Sequence, residues 1–135
     1  MESRTIHIGS VPYAAIEIAG YAHPDIAEPD GMDLLDCTVR AVADPVDARF
    51  PMTIRVDELR AVRGYLAKIN SGNGPAANFA IAGGIFELHF VPSRRGPVLC
   101  AVRLKSIDAA HVRVEYMVTL EPEQITRLLG DLAAF

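Results

Sequence analysis

The chain has 135 residues, of which 50% are hydrophobic and 22% are charged, and its formal net charge is -4. This length fits one domain with one core, and the wealth of apolar residues excludes a disordered chain. Because duplex nucleic-acid binders draw their affinity from Lys and Arg, the negative charge argues against nucleic acid and favours a basic protein partner. We predict that residues 1–135 form a single domain that binds no nucleic acid.

Nothing in the sequence indicates secretion or membrane insertion. Residues 5–12 alternate instead of forming the apolar run of a signal peptide, and the uncharged stretch Pro75–Phe86 is far shorter than the roughly 20 residues of a membrane span. Cys37 and Cys100 each lie in an apolar strand-like run, which predicts buried and unreactive thiols. Together these features predict a cytoplasmic protein with reduced cysteines and no membrane contact.

The first half of the chain has the pattern of strands. Alternating β-branched residues predict a hairpin from residues 4–9 and 12–20, then a third strand at 34–43 and a fourth at 48–54. Pro51 has no backbone donor for a strand ladder, so the fourth strand is expected at a sheet edge or a bulge.

The apolar period then changes to that of a helix. Leu59, Val62, Leu66 and Ile69 recur on one helical stripe, with Asp57 and Glu58 in the first turn. A second helix is predicted to start at Pro122, and its apolar stripe is Ile125, Leu128, Leu129 and Leu132.

Between the helices, a short run at 79–82 precedes three strands at 85–91, 98–106 and 112–120, whose short connections allow only antiparallel neighbours. The prediction is an α+β fold in the order β-β-β-β-α-β-β-β-β-α. It has an antiparallel sheet of seven or eight strands with both helices on one face.

The predicted strands have one apolar and one charged face. The apolar set is Phe86, Leu88, Phe90, Val98, Cys100, Val102, Leu104, Val112, Val114, Tyr116 and Val118. The opposite set is Glu87, His89, Arg103, Lys105, Arg113 and Glu115, and Asp36, Thr38 and Arg40 alternate in the same way on the third strand. Such a face either carries ion pairs exposed to water or forms a binding surface.

Residues 20–36 contain five acids and no Lys or Arg: Asp25, Glu28, Asp30, Asp33 and Asp36. Their negative potential could hold a metal, meet a basic partner or keep a loop soluble. The spacing does not fit a calcium loop, because placing Gly31 sixth puts Ile26 first and Cys37 twelfth. A glycosidase pair is disfavoured because the chain has no Trp to form a sugar platform.

The sequence also shows no motif for zinc binding, thiol redox chemistry or phosphate binding. The four histidines have no metal-binding spacing, neither cysteine has a CxxC partner, and no phosphate-binding glycine motif is present. The sequence therefore predicts a protein without catalytic residues, metal or cofactor.

The order of short motifs resembles the WapI-type immunity protein family. The motifs are Gly20-Tyr21, Pro24, an acidic loop, Asp33-Leu34-Leu35, Asp57-Glu58-Leu59 with Leu66, Phe79, the 86–90 strand, and a Leu-rich last helix ending at Phe135. The resemblance implies a non-enzymatic inhibitor that binds and blocks a toxin domain.

Three hypotheses follow. The first is an immunity-like inhibitor that meets a basic toxin domain through Asp25, Glu28, Asp30, Asp33 and Asp36, with Asp36 and Arg40 extending the contact onto the sheet. The second is a small-ligand module or enzyme with a pocket between the sheet and the first helix. The third is a structural protein that self-associates through the edge near Pro51 or the open sheet face, so both a monomer and a homodimer are compatible with the sequence.

Overall fold

The computed structural model describes residues 2–26, 28–29, 32–70, 74–94, 96–106 and 112–135. The first half contains β1 (Arg4–Ile8), β2 (Tyr13–Tyr21), β3 (Leu34–Ala43), β4 (Val46–Arg55) and helix α1 (Val56–Asn70). The second half contains β5 (Ala77–Ile81), β6 (Phe86–Val91), β7 (Val98–Lys105), β8 (Arg113–Leu120) and helix α2 (Pro122–Leu132), with a 3-10 helix (Ala82–Gly84) before β6.

The predicted fold class and element order are confirmed, and the structure adds how the strands are divided. They form two four-stranded antiparallel sheets, ordered β1-β2-β3-β4 and β5-β6-β7-β8. Within each sheet, strands that follow each other in the chain are neighbours. The division falls at α1, because a 15-residue helix separates β4 from β5 and removes the short turn that would pair them.

The first sheet places alternate residues of β3 on opposite faces. Leu35, Cys37, Val39 and Ala41 are buried, whereas Asp36 is exposed. Strand β4 ends the strand order, and its Pro51 lies opposite Thr38 of β3. The prediction that Pro51 marks an edge strand is therefore confirmed.

One apolar core unites both sheets and both helices. The stripes predicted for the helices are buried, apart from the half-buried Leu129, and they join the inward faces of the two sheets in a single cluster. Each fully buried Leu, Ile or Phe stabilises the fold by roughly 1.5–3 kcal/mol relative to exposure. Val112 differs from the prediction: it precedes β8 and is 47% exposed, although its carbonyl accepts a hydrogen bond from the Ser106 N–H at 3.1 Å.

Both cysteines are free and buried, as predicted. Burial raises the pKa of the Cys37 thiol from 9.0 to about 12, with a smaller contribution from the nearby Asp36 charge. Burial alone raises the pKa of the Cys100 thiol from 9.0 to about 12. Both side chains therefore act as small apolar groups.

Among the residues that the structure describes, no helix has the length and apolar character needed to cross a membrane.

Candidate protein-binding surface

The acidic segment projects from one end of the first sheet as the connection between β2 and β3. Its base is closed by the pairing of Tyr21 with Leu35 and by a hydrogen bond from the Ala22 N–H to the Leu34 carbonyl at 2.8 Å. The Asp33 carbonyl accepts a hydrogen bond from the Val56 N–H at 3.0 Å, which ties the loop to the start of α1. The loop thus leaves a rigid base.

The predicted acids differ in their surroundings. Asp25, Glu28 and Asp36 are exposed, Asp33 is half-buried, and Asp30 lies outside the described residues. Within the described part of the chain, none of these four acids forms an ion pair or a side-chain hydrogen bond. Their negative charge is therefore uncompensated locally and is available to a basic partner.

Exposed apolar side chains accompany these acids, and the sequence patterns did not single them out. Tyr21 is 41% exposed, Ile26 is 55% exposed and Met32 is 42% exposed. Ile26 and Met32 stand in a connection without the regular period that would assign them a buried or exposed face. Tyr21 is the last residue of β2 and follows a register shift between Ile18 and Gly20, which interrupts the alternation of the strand. We refer to these three residues and the exposed acids of the same segment as the acidic loop surface: Tyr21, Asp25, Ile26, Glu28, Met32 and Asp36.

Arg40 is positioned on the predicted face but does not add a free charge to it. Its guanidinium donates to the Asp47 carboxylate from Nε at 3.0 Å and from Nη2 at 2.7 Å. This contact raises the pKa of Arg40 and lowers the pKa of Asp47. Glu17 and Arg49 form a second ion pair on the same sheet. The sheet face beside Asp36 is therefore mixed and largely neutralised, and the acidic character belongs to the loop.

The chain matches no protein-family model, no curated protein and no solved structure. The chemistry of its surfaces is therefore the guide to its function.

The concave regions are open grooves. One, of about 310 Å³, lies between α1 and β5, where a small-ligand pocket was expected. Its charged groups already contact each other, with Arg55 Nε 3.1 Å from Asp57 Oδ1. Another, also of about 310 Å³, lies beside β1, β2 and α2 and includes His7, Tyr13 and Arg127. Both grooves are open to solvent, and neither is a closed cavity.

Two tyrosines have raised pKa values, and packing explains both. Burial is the main cause that raises the pKa of Tyr65 and the pKa of Tyr116. The Tyr116 hydroxyl donates to the Tyr13 carbonyl at 2.7 Å, so it links β8 to β2. Among the described residues, no group of three or more His, Cys, Asp or Glu side chains is arranged to hold a metal ion.

Proposed function

We propose that the protein is a non-enzymatic protein-binding domain that inhibits a basic partner, of the toxin-domain class implied by its resemblance to the WapI-type immunity family. The observation that carries the proposal is the acidic loop surface, where locally uncompensated acids and exposed apolar side chains occur together.

The two kinds of side chain have different roles in binding. Aromatic and Met side chains are enriched at protein interfaces, where a few buried anchors supply most of the affinity. Carboxylates at the rim attract a basic surface from a distance and mainly raise the association rate. Asp25 and Glu28 therefore set how fast the complex forms, and Ile26 and its apolar neighbours set how slowly it dissociates.

The first experiment recovers the partner from the native host with tagged protein, and then measures association with the purified partner. Charge reversal in Asp25→Lys/Glu28→Lys should slow association about 10-fold or more at low salt, because electrostatic steering is lost. The melting temperature should not change, since these acids have no ion pair or side-chain hydrogen bond to lose within the described part of the chain. Adding Asp36→Lys tests whether the contact reaches the sheet.

The matched control is Glu2→Lys/Glu123→Lys, which makes the same change in net charge at two other exposed acids. An equal slowing by the control would mean that overall charge matters and the loop does not. Ile26→Ser should raise the dissociation rate about 10-fold with little effect on association. The inhibitor role further requires that the wild-type protein suppress the activity of the recovered partner. Recovery of no basic protein would refute the proposal.

A further inference from the structure

The second sheet has an outward face whose chemistry changes along its length. The strand register of β6, β7 and β8 places four successive cross-strand rows on this outer face: Val91–Leu99–Thr119, His89–Ala101–Met117, Glu87–Arg103–Glu115 and Lys105–Arg113. Alternate residues of the same strands face the core. The strand register therefore defines which side chains are neighbours on the outer face.

One end of the outer face is apolar. Val91 is 40% exposed, Leu99 is 38% exposed and Met117 is 50% exposed. Val91 pairs directly with Leu99, and Met117 pairs with Ala101, which follows Leu99 by two residues on the same face. Isolated exposed apolar residues are ordinary, whereas neighbouring ones on one face of a sheet offer a partner a shared apolar contact.

In the middle row, Glu87–Arg103–Glu115, opposite charges lie next to each other. Arg103 lies between two carboxylates, with Nη1 3.9 Å from Glu87 Oε2 and Nε 3.8 Å from Glu115 Oε1. Since these are opposite charges across neighbouring strands, the row stabilises the sheet slightly. Both carboxylates thus already have a cationic neighbour.

The far end of the outer face carries two cations in an unfavourable arrangement. Lys105 and Arg113 are directly paired across β7 and β8, and both are exposed. In the described part of the chain neither forms an ion pair. They line an open groove of about 190 Å³, and the middle row of Glu87, Arg103 and Glu115 lines the same groove. Like charges placed opposite each other destabilise a sheet, so an anion placed at the Lys105–Arg113 end, away from the two carboxylates, would relieve the repulsion.

We propose that the outer face of the second sheet binds an acidic protein segment whose carboxylates meet Lys105 and Arg113 and whose apolar side chains cover Leu99 and Met117. Leu99 and Lys105 are six residues apart on β7, which corresponds to about 20 Å along an extended strand. The segment must therefore carry its apolar and acidic residues about 20 Å apart. A partner of this chemistry differs from the basic partner of the acidic loop surface.

Two other occupants fit the face less well. A free oxyanion would neutralise the cationic end and leave the apolar end exposed. A second copy could stack on this face through a two-fold axis, with its apolar end on Leu99. The Lys105–Arg113 pairs of the two copies would then lie at opposite ends of the dimer, away from the carboxylates of the other copy. An acidic and apolar segment uses both ends at once.

The test uses a nine-residue peptide that alternates Ser with two Leu at one end and two Glu at the other, and a peptide of the reversed order. Binding is followed by the amide chemical shifts of the full-length protein. We expect one of the two orders to shift Leu99, Met117, Lys105 and Arg113 together. A peptide with Lys in place of Glu should bind at least about 10-fold more weakly, because its cations meet like charge.

The decisive variant is Lys105→Glu. It should weaken binding of the acidic peptide at least about 10-fold, and it should also raise the melting temperature by about 1–4 °C, because a like-charge pair becomes an ion pair. A residue with a purely structural role would not combine higher stability with weaker binding. Met117→Gln should weaken binding about 3- to 10-fold. The control Arg127→Glu, which reverses an exposed cation on α2, should leave peptide binding unchanged.

Several results would overturn the proposal. One is the absence of shifts at the outer face with both peptides. Another is inorganic phosphate that shifts Lys105 and Arg113 and displaces the peptide, which would indicate a simple oxyanion site. A third is concentration-dependent self-association that Lys105→Glu abolishes, which would identify a second copy as the occupant. A fourth is weaker peptide binding in Asp25→Lys/Glu28→Lys, which would show that the acidic loop surface, and not the outer face alone, takes part in binding.

Discussion

Glu58 links the two sheets through both oxygens of its carboxylate. Oε1 accepts a hydrogen bond from the Arg55 N–H at 3.0 Å, and Oε2 accepts one from the Ala82 N–H at 3.0 Å. Arg55 ends β4 in the first sheet, whereas Ala82 follows β5 in the second. Ala82 has a φ of 53°, which is rare for a residue other than glycine, and the bond to Glu58 holds it there. One side chain thus fixes a turn and joins two elements.

Glu58→Gln should lower the free energy of unfolding by about 1–3 kcal/mol, because hydrogen bonds to a charged acceptor are lost and an amide N–H₂ faces a backbone donor. Urea denaturation measures the change. The control is Glu123→Gln, which removes an exposed charge from the first turn of the other helix and should cost at most about 1 kcal/mol. Equal effects of the two substitutions would show that Glu58 contributes through the helix dipole alone.

Helix α2 begins with a hydrogen-bond network that also reaches the β1–β2 turn. The Glu121 N–H donates to Gln124 Oε1 at 2.8 Å, and Gln124 Nε2 donates to Ser10 Oγ at 2.7 Å. The Gln124 N–H in turn donates to the Glu121 backbone carbonyl at 2.9 Å, so both residues hold each other at the helix start. The helix start is therefore fixed both locally and against the first hairpin.

Gln124→Ala should destabilise the protein by about 0.5–2 kcal/mol, even though Ala is the better helix former, because a cap contact and the bond to Ser10 are lost together. Thermal unfolding measures the effect. The neighbouring Glu123→Ala removes an exposed side chain of similar size and should change stability by less. A neutral Gln124→Ala would mean that packing of α2 alone sets its position.

Local pattern predicted the elements well, because strand and helix periods are properties of neighbouring residues. The alternation around Cys37 and the stripe from Leu59 to Ile69 both match the observed burial. The division into two sheets could not be predicted in this way, since it depends on whether β4 and β5 pair across α1.

The candidate site was predicted only in part, because composition is visible in the sequence whereas exposure and side-chain pairing depend on the fold. The acids of the loop were visible as composition, whereas the exposure of Tyr21, Ile26 and Met32 depends on what the rest of the fold leaves uncovered. The pairing of Arg40 with Asp47 depends on the register of the β3–β4 hairpin, which places Asp47 opposite Val42, two residues from Arg40.

For the whole molecule, the central question is whether two sheets that share no strand pairing fold as one unit. Their buried residues belong to a single cluster, which also includes the inward stripes of both helices. Tyr116 of β8 donates to the Tyr13 carbonyl of β2, and Glu58 adds the second polar link between the sheets. Because neither sheet can expose its inner face without breaking this core, we expect one cooperative unfolding transition.

The two cysteines report on the sheets separately, since Cys37 lies on β3 and Cys100 on β7. Raising a thiol pKa from 9.0 to about 12 lowers its thiolate fraction at pH 8 roughly a thousandfold, so labelling by a thiol reagent measures unfolding. Cys100→Ala leaves Cys37 as the reporter, and Cys37→Ala leaves Cys100. For each variant, the unfolding midpoint from pulsed labelling across a urea series is divided by the midpoint that circular dichroism gives for the same variant. The two normalised midpoints should coincide. A lower midpoint at Cys37 would mean that the first sheet opens while the second persists, and the core would then be two weakly coupled halves.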